Sequence, residues 1–158
     1  MIIRRARPAD SHEIADVWLR SRKASVPAIP PPVHSDADVR DWFSRVVLPT
    51  REVWVACSGE DIVALLVLDG EWLDQLYVTP EFTGQGVGGQ LVETAKGARP
   101  GGLQLWTFQR NAGARRFYER HGFMACEETS GQNEQGAPDV RYVWNDRFLT
   151  DVVSGGEP

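Results

Sequence analysis

Cysteine is scarce: Cys57 and Cys126 are the only two in 158 residues, both in apolar segments and without the spacing of metal ligands. A disulfide framework is excluded, and two such thiols read as small buried side chains in a reducing compartment. The three histidines, His12, His34 and His121, share no metal-binding spacing either, so no metal is expected. Long apolar runs are missing too. None approaches the roughly 18 residues that cross a bilayer, and the opening Met1-Ile2-Ile3-Arg4-Arg5 lacks the apolar stretch of a signal peptide. No basic stretch exceeds a few positions, and the net charge of −5, from 22 acidic and 17 basic residues, argues against a nucleic-acid partner. A soluble, cytoplasmic protein with no membrane partner is the expectation.

What is present suits one globular domain, with 42% hydrophobic and 25% charged residues. Residues 1–148 read as that domain and 149–158, ending Ser-Gly-Gly-Glu-Pro, as a flexible tail. Residues 2–7 read as a strand. Residues 9–25 read as a helix, with Ile14, Val17, Trp18 and Ser21 at helical spacing, stopped by Pro27, Pro30, Pro31 and Pro32. A second helix from Ser35 or Asp36 places Val39, Trp42, Phe43, Val46 and Val47 on one face until Pro49 ends it. Strands at 52–57 and 61–68 form a hairpin across Ser58-Gly59-Glu60, followed by strands at 71–78, 103–108, 123–128 and 140–144. Helices at 86–98 and 111–121 lie between them, the latter capped by Asn111 and ended by Gly122. This order predicts an α/β (α+β) architecture: a central mixed sheet of six to seven strands with about four helices on both faces. The sheet should be antiparallel at its start and parallel around the turn after Val78, where a ligand would bind.

That turn, Gly84-Gln85-Gly86-Val87-Gly88-Gly89, joins a strand to a helix. Its glycines permit positive φ and close approach, and the helix-start amides favour an anion. A dinucleotide fold places such a turn after its first strand and wants an acidic residue about 20 positions on, where this chain has Gln104 and Gln109. A nucleoside-triphosphate loop needs Gly-Lys followed by Ser or Thr, which is absent. A tight connection without a ligand is the plain alternative.

The run Leu76-Tyr77-Val78-Thr79-Pro80-Glu81-Phe82-Thr83-Gly84-Gln85-Gly86-Val87-Gly88 resembles the signature of the GNAT superfamily of acyl-CoA-dependent N-acetyltransferases. A second motif, Asn111, Ala114, Phe117-Tyr118-Glu119 and Gly122-Phe123, resembles that family's second helix, and the likeness runs from the first strand to about Trp144. Thr83 departs from the family pattern, standing where Arg or Gln is usual. The resemblance implies acetyl-CoA as acyl donor. Its phosphates would lie on Thr83, Gly84, Gln85, Gly86, Val87, Gly88 and Gly89, with the Thr83 hydroxyl as one further donor. Its pantetheine arm would pair with the backbone of Leu76 and Val78 and touch Asn111.

Aminolysis of a thioester needs a neutral amine, a donor for the developing oxyanion and a proton for the leaving thiolate. Tyr118 is the candidate acid; the alternative is a buried aromatic on its helix. Asp74 is the candidate base through a water, the alternative being a merely solvated carboxylate. Strand parity sets Trp72, Asp74, Leu76 and Val78 on one face. His121, at a helix end, suits a dipole or packing role. The resemblance further implies an acceptor bound by the first two helices and the last hairpin, hence Trp18, His34, Asn133 and Glu134, although Trp18 and Trp42 also suit the core. The acceptor is then a small-molecule or peptide amine, attacked directly in a ternary complex, and a homodimer is one assembly open to the chain. A non-catalytic acyl-CoA sensor and a dinucleotide-binding oxidoreductase are the rival readings.

Overall fold

The computed structural model describes residues 1–31 and 33–145. The predicted tail and Pro32 of the proline run lie outside the described residues. Seven strands form one sheet in the order β1-β2-β3-β4-β5-β7-β6. They are β1 (Ile2–Arg5), β2 (Glu52–Ser58), β3 (Asp61–Asp69), β4 (Trp72–Val78), β5 (Leu103–Phe108), β6 (Met124–Glu128) and β7 (Asp139–Trp144). Every neighbouring pair is antiparallel except β4 with β5, which is parallel. Helices α1 (Ser11–Ser25) and α2 (Asp36–Trp42) cover one face; α3 (Val87–Ala98) and α4 (Ala112–Arg120) cover the other.

β3 shows why the layers assemble this way. Residues 62–68 are all buried, without the alternation of a half-exposed strand. Leu65 and Val67 pack with Ile14, Val17, Trp18 and Phe43, whereas Leu66 and Leu68 pack with Leu91, Ala95 and Tyr118. A strand apolar on both sides forces helices onto both sides.

Two expectations about element shape change. The face read for the second helix fails at Val46, which is 40% exposed. After Trp42 the helix widens into a π turn (Phe43–Val47), in which the Leu48 amide bonds Phe43 O, before a last turn (Leu48–Thr50). The extra residue per turn rotates Val46 outward, and the widened ladder tolerates Pro49, which has no amide to donate. In β4, Leu68 stands opposite Leu73 but Val67 stands opposite Gln75, leaving Asp74 as the extra residue of a bulge. Parity therefore reverses at Asp74: Leu73 joins the face of Leu76 and Val78, and Tyr77 packs with the cluster under α1 and α2.

β4 and β5 share one register pair, Trp72 with Gln104, and then diverge. The hydrogen bond from Thr79 N to Val63 O (2.9 Å) sets the phase of the β3–β4 ladder. Bonds alternate along an antiparallel pair, so the polar groups of Tyr77 face β3 and those of Leu76 and Val78 face the opening beside β5.

At the other edge, Asp10 fastens β1 to the start of α1. It accepts from Arg4 at 2.8 and 3.1 Å and from the Arg7 amide at 2.7 Å, while only 8% exposed. The Arg4 hydrogen bond is the main reason its carboxyl lies below the ordinary 3.8. A folded-state pKa below the unfolded one contributes stability that is complete above the unfolded value and lost as pH falls through the folded value. Asp10→Asn should therefore destabilise the protein by about 2 kcal/mol at pH 7, and the difference from wild type should shrink below about pH 3.8. Urea denaturation at pH 7 and pH 3 checks this.

Candidate active site

The opening between β4 and β5 leads into a cleft of about 1090 Å³ whose lining joins the end of β4, the glycine-rich turn, α3 and α4. Leu76, Val78, Thr83, Gly84, Gly86, Val87, Gly88, Gly89 and Asn111 all line it, so residues up to 35 positions apart (76 to 111) meet around one space. Gln85 does not contribute its side chain, whose Nε2 donates to Glu81 O (3.0 Å) and braces the loop.

The turn holds Gly84 and Gly86 at φ +76° and +83°, a region costly to residues with a Cβ. Gly86 is the N-cap of α3, and the first bond back into the helix runs from Gln90 N to Gly86 O (3.1 Å). The amides of Val87, Gly88 and Gly89 thus lack intrahelical acceptors, which makes the helix start a receptor for an anion. Gly88 and Gly89 have a second task. A Cβ on them would lie 3.3 Å from the Phe117 ring and 3.1 Å from the His121 ring, so their smallness lets α4 close against α3. Thr83 donates its hydroxyl to Pro80 O (2.9 Å), so the donor expected to reach a phosphate is already engaged. Of the groups on the open edge of β4, the Val78 carbonyl accepts the Ser21 hydroxyl of α1 (3.0 Å), leaving its amide and both polar groups of Leu76 to an extended ligand.

Asn111 caps α4 by accepting from Ala114 N (3.1 Å) while lining the cleft. The rotation of α4 is set by Tyr142, fully buried on β7, whose hydroxyl donates to Glu119 (2.7 Å) and accepts from Arg115 Nε (3.1 Å). Tyr118 is thereby turned into the cleft. Burial, and then the neighbouring Tyr77, raise its pKa above the ordinary 10.0, and its hydroxyl makes no hydrogen bond among the described residues. His121 lies against Phe117 (4.6 Å between rings), and burial, then Lys96, lower its pKa below 6.5.

A second cleft, about 380 Å³, opens on the α1 and α2 side. It gathers Trp18, His34 and Glu134, three of the four residues expected at the acceptor, together with Trp42 and Gln75. His34 Nε2 contacts the Glu134 carboxylate, and Trp18 Nε1 donates to Gln75 Oε1 (3.0 Å). Asn133 does not line this cleft: its amide donates to Ala137 O (2.6 Å) and Asp139 (3.2 Å) and accepts from Ala137 N (3.3 Å), so it holds the loop together. Asp74 lines neither cleft. The bulge turns it to Arg51, with which it pairs at 2.9 Å, and the base expected there is displaced from the reacting centre. Burial is the main reason the Asp74 pKa is raised, and Arg51 offsets part of that. Ser21, Arg22 and Tyr77 were missed as site residues; polar side chains among the apolar helix face of α1 were the available signal.

Residues 49–125 match the family model described as acetyltransferase (GNAT) domain. Over 124 residues the chain is 32% identical to the peptidyl-lysine N-acetyltransferase YjaB of Salmonella typhimurium strain LT2, covering 77% of this chain and 81% of that one. The chain belongs to the GNAT acetyltransferase family. The solution structure of apo YjaB from Escherichia coli superposes on this GNAT enzyme with a TM-score of 0.73 at 26% identity, covering 91% of this chain and 98% of that one. The PaiA N-acetyltransferase of Thermoplasma acidophilum, in complex with coenzyme A, shares the fold at a TM-score of 0.70 and 17% identity, covering 91% and 98% of the two chains. Membership in this acetyltransferase family displaces the oxidoreductase and sensor readings. The sheet agrees, since the glycine-rich turn follows the fourth strand and, among the described residues, only one strand pair is parallel.

Tyr142→Phe in this GNAT enzyme removes a donor to Glu119 and an acceptor for Arg115 without changing ring volume. A loss of about 1–2 kcal/mol in urea denaturation is expected, with α4 the first element to gain amide hydrogen exchange.

Proposed function

We propose that this acetyltransferase moves the acetyl group of acetyl-CoA to a primary amine by direct attack, both substrates being bound at once on opposite sides of the β4–β5 opening. Residues 1–148 act as the single domain that does this. The observation that carries the reading is the opening itself: unpaired β4 edge groups, unpaired α3 amides and an unbonded Tyr118 hydroxyl line one cleft, and a second cleft adjoins it through Tyr77.

The residues present fit such a donor. The amides of residues 87–89 receive the pyrophosphate, and the free polar groups of Leu76 and Val78 pair with the amides of the pantetheine arm as an added strand would. When bound, acetyl-CoA supplies an activated thioester whose sulfur departs as a thiolate. Tyr118 gives that sulfur its proton. The raised tyrosine pKa keeps the proton in place at neutral pH until negative charge develops on the sulfur. His34, positioned by Glu134 in the second cleft, takes the proton of the incoming amine in place of Asp74. The acceptor amine of the YjaB relatives is peptidyl lysine by name; a small-molecule amine fits the second cleft equally.

Gly86→Asp puts a carboxylate and a strained φ of +83° where an anion is to sit. CoA binding should fall at least about 10²-fold by calorimetry, while circular dichroism shows a folded protein; unchanged affinity would remove the phosphate assignment. Tyr118→Phe should slow single-turnover acetyl transfer by about 10²-fold with CoA affinity retained. If that rate is unchanged while the melting temperature falls, Tyr118 is a packing residue and solvent protonates the thiolate.

A further inference from the structure

Arg22 is the one charged residue of α1 that is buried, only 6% exposed. It forms no ion pair among the described residues. Its Nη1 donates to the Tyr77 hydroxyl (3.2 Å), its Nη2 reaches Pro30 O at the long distance of 3.5 Å, and its Nε, sealed from solvent, has no partner. The guanidinium lies 4.9 Å from the centre of the Trp18 ring. Five donors with one good hydrogen bond are a poor arrangement for a buried cation, which ordinarily carries a carboxylate. This cation lines the second cleft.

The charges around it have a pattern. Asp38 and Glu134 line the same cleft, Glu134 against His34 and Asp38 without an ion pair among the described residues. The cleft therefore presents one buried cation and two carboxylates in about 380 Å³, the complement of a molecule carrying both signs of charge. Tyr77 links this cation to the chemistry. Its hydroxyl accepts from Arg22, and the residue also lines the cleft that contains Tyr118.

We infer that Arg22 anchors a carboxylate of the acceptor, so that the enzyme selects free α-amino acids and their close analogues over the same amines without the carboxylate. The inference rests on the acetyl-transfer reading and names its substrate class. A planar guanidinium takes a carboxylate through paired donors, which fixes the orientation of the attached amine as well as its affinity. Asp38 and Glu134 attract the ammonium form on entry, and the amine then loses its proton to His34 before attack. In a peptidyl lysine the α-carboxylate is consumed in the peptide bond, so the Arg22 contact would be lost. The specificity of this chain is thereby separated from that named for its relatives.

Matched acceptors test the idea. Thiol release from acetyl-CoA is followed with phenylalanine against phenethylamine, lysine against cadaverine, and lysine against a lysine-containing peptide with blocked ends. The free amino acid of each pair should have the higher kcat/KM, by about 10²-fold and mostly through KM, as expected for a charge-assisted hydrogen bond. Arg22→Gln should bring that ratio toward one, and Arg22→Lys should restore part of it. Wild-type ratios near one, or an Arg22→Gln variant that slows both members of each pair equally, would overturn the carboxylate anchor. Because Arg22 also packs on Trp18, calorimetric CoA binding reports whether each variant is folded. Titration with N-acetyl-phenylalanine keeps the two readings apart. If no amine is acetylated, the acetyl-transfer reading fails, yet tight binding by wild type and weak binding by Arg22→Gln would still uphold the anchor, and equal binding would sink it.

Discussion

The parting of β4 from β5 is the constraint on which the molecule depends. Parallel strands in one sheet normally satisfy each other's backbone along their length, but here the pair is joined at Trp72 and Gln104 and no farther. The opening leaves polar groups of a central strand without a strand partner, facing a cleft in which water or an extended ligand completes them. Everything at the site answers that opening. The glycine-rich turn lies at its mouth, α3 aims its free amides into it, and α4 closes its far wall with Tyr118.

Holding the strands apart requires rigid support on both faces. On one side, Tyr142 ties α4 to β7 through Glu119 and Arg115, and Gly88 and Gly89 allow Phe117 and His121 to seat against α3. These glycines are pulled by two demands at once, close packing behind and exposed amides in front. On the other side, Ser21 engages the Val78 carbonyl and Trp18 engages Gln75, so α1 braces the very strand that has lost its neighbour. Strands β2, β3 and β4 each give side chains to the apolar clusters on both faces, which makes the central strands a shared wall between two clefts.

Two polar side chains packed on that wall from either side are incompletely paired among the described residues: the Tyr118 hydroxyl, which opens on the cleft, makes no hydrogen bond, and Arg22 has an orphaned, buried Nε. A fold selected for stability alone would satisfy or replace such groups. Their persistence at the two clefts, with the rest of the buried polar atoms partnered among the described residues, marks where the protein meets molecules other than itself.

Much of this was legible in the chain. The element order, the mixed sheet and the glycine-rich turn at the start of α3 follow from local signals: apolar periodicity, proline and glycine punctuation, and the Asn111 cap, each acting within a few residues. The two motifs around Gly86 and Tyr118 carried the family resemblance for the same reason, since a turn and a helix encode their own geometry. What only the tertiary structure decided depends on register and long-range contact. A one-residue bulge moved Asp74 to Arg51 and out of both clefts. A π turn turned Val46 outward. Whether Asn133 or Arg22 meets the second cleft depended on how a hairpin loop and α1 pack, and periodicity cannot tell a buried polar side chain beside a cavity from one on a solvated face.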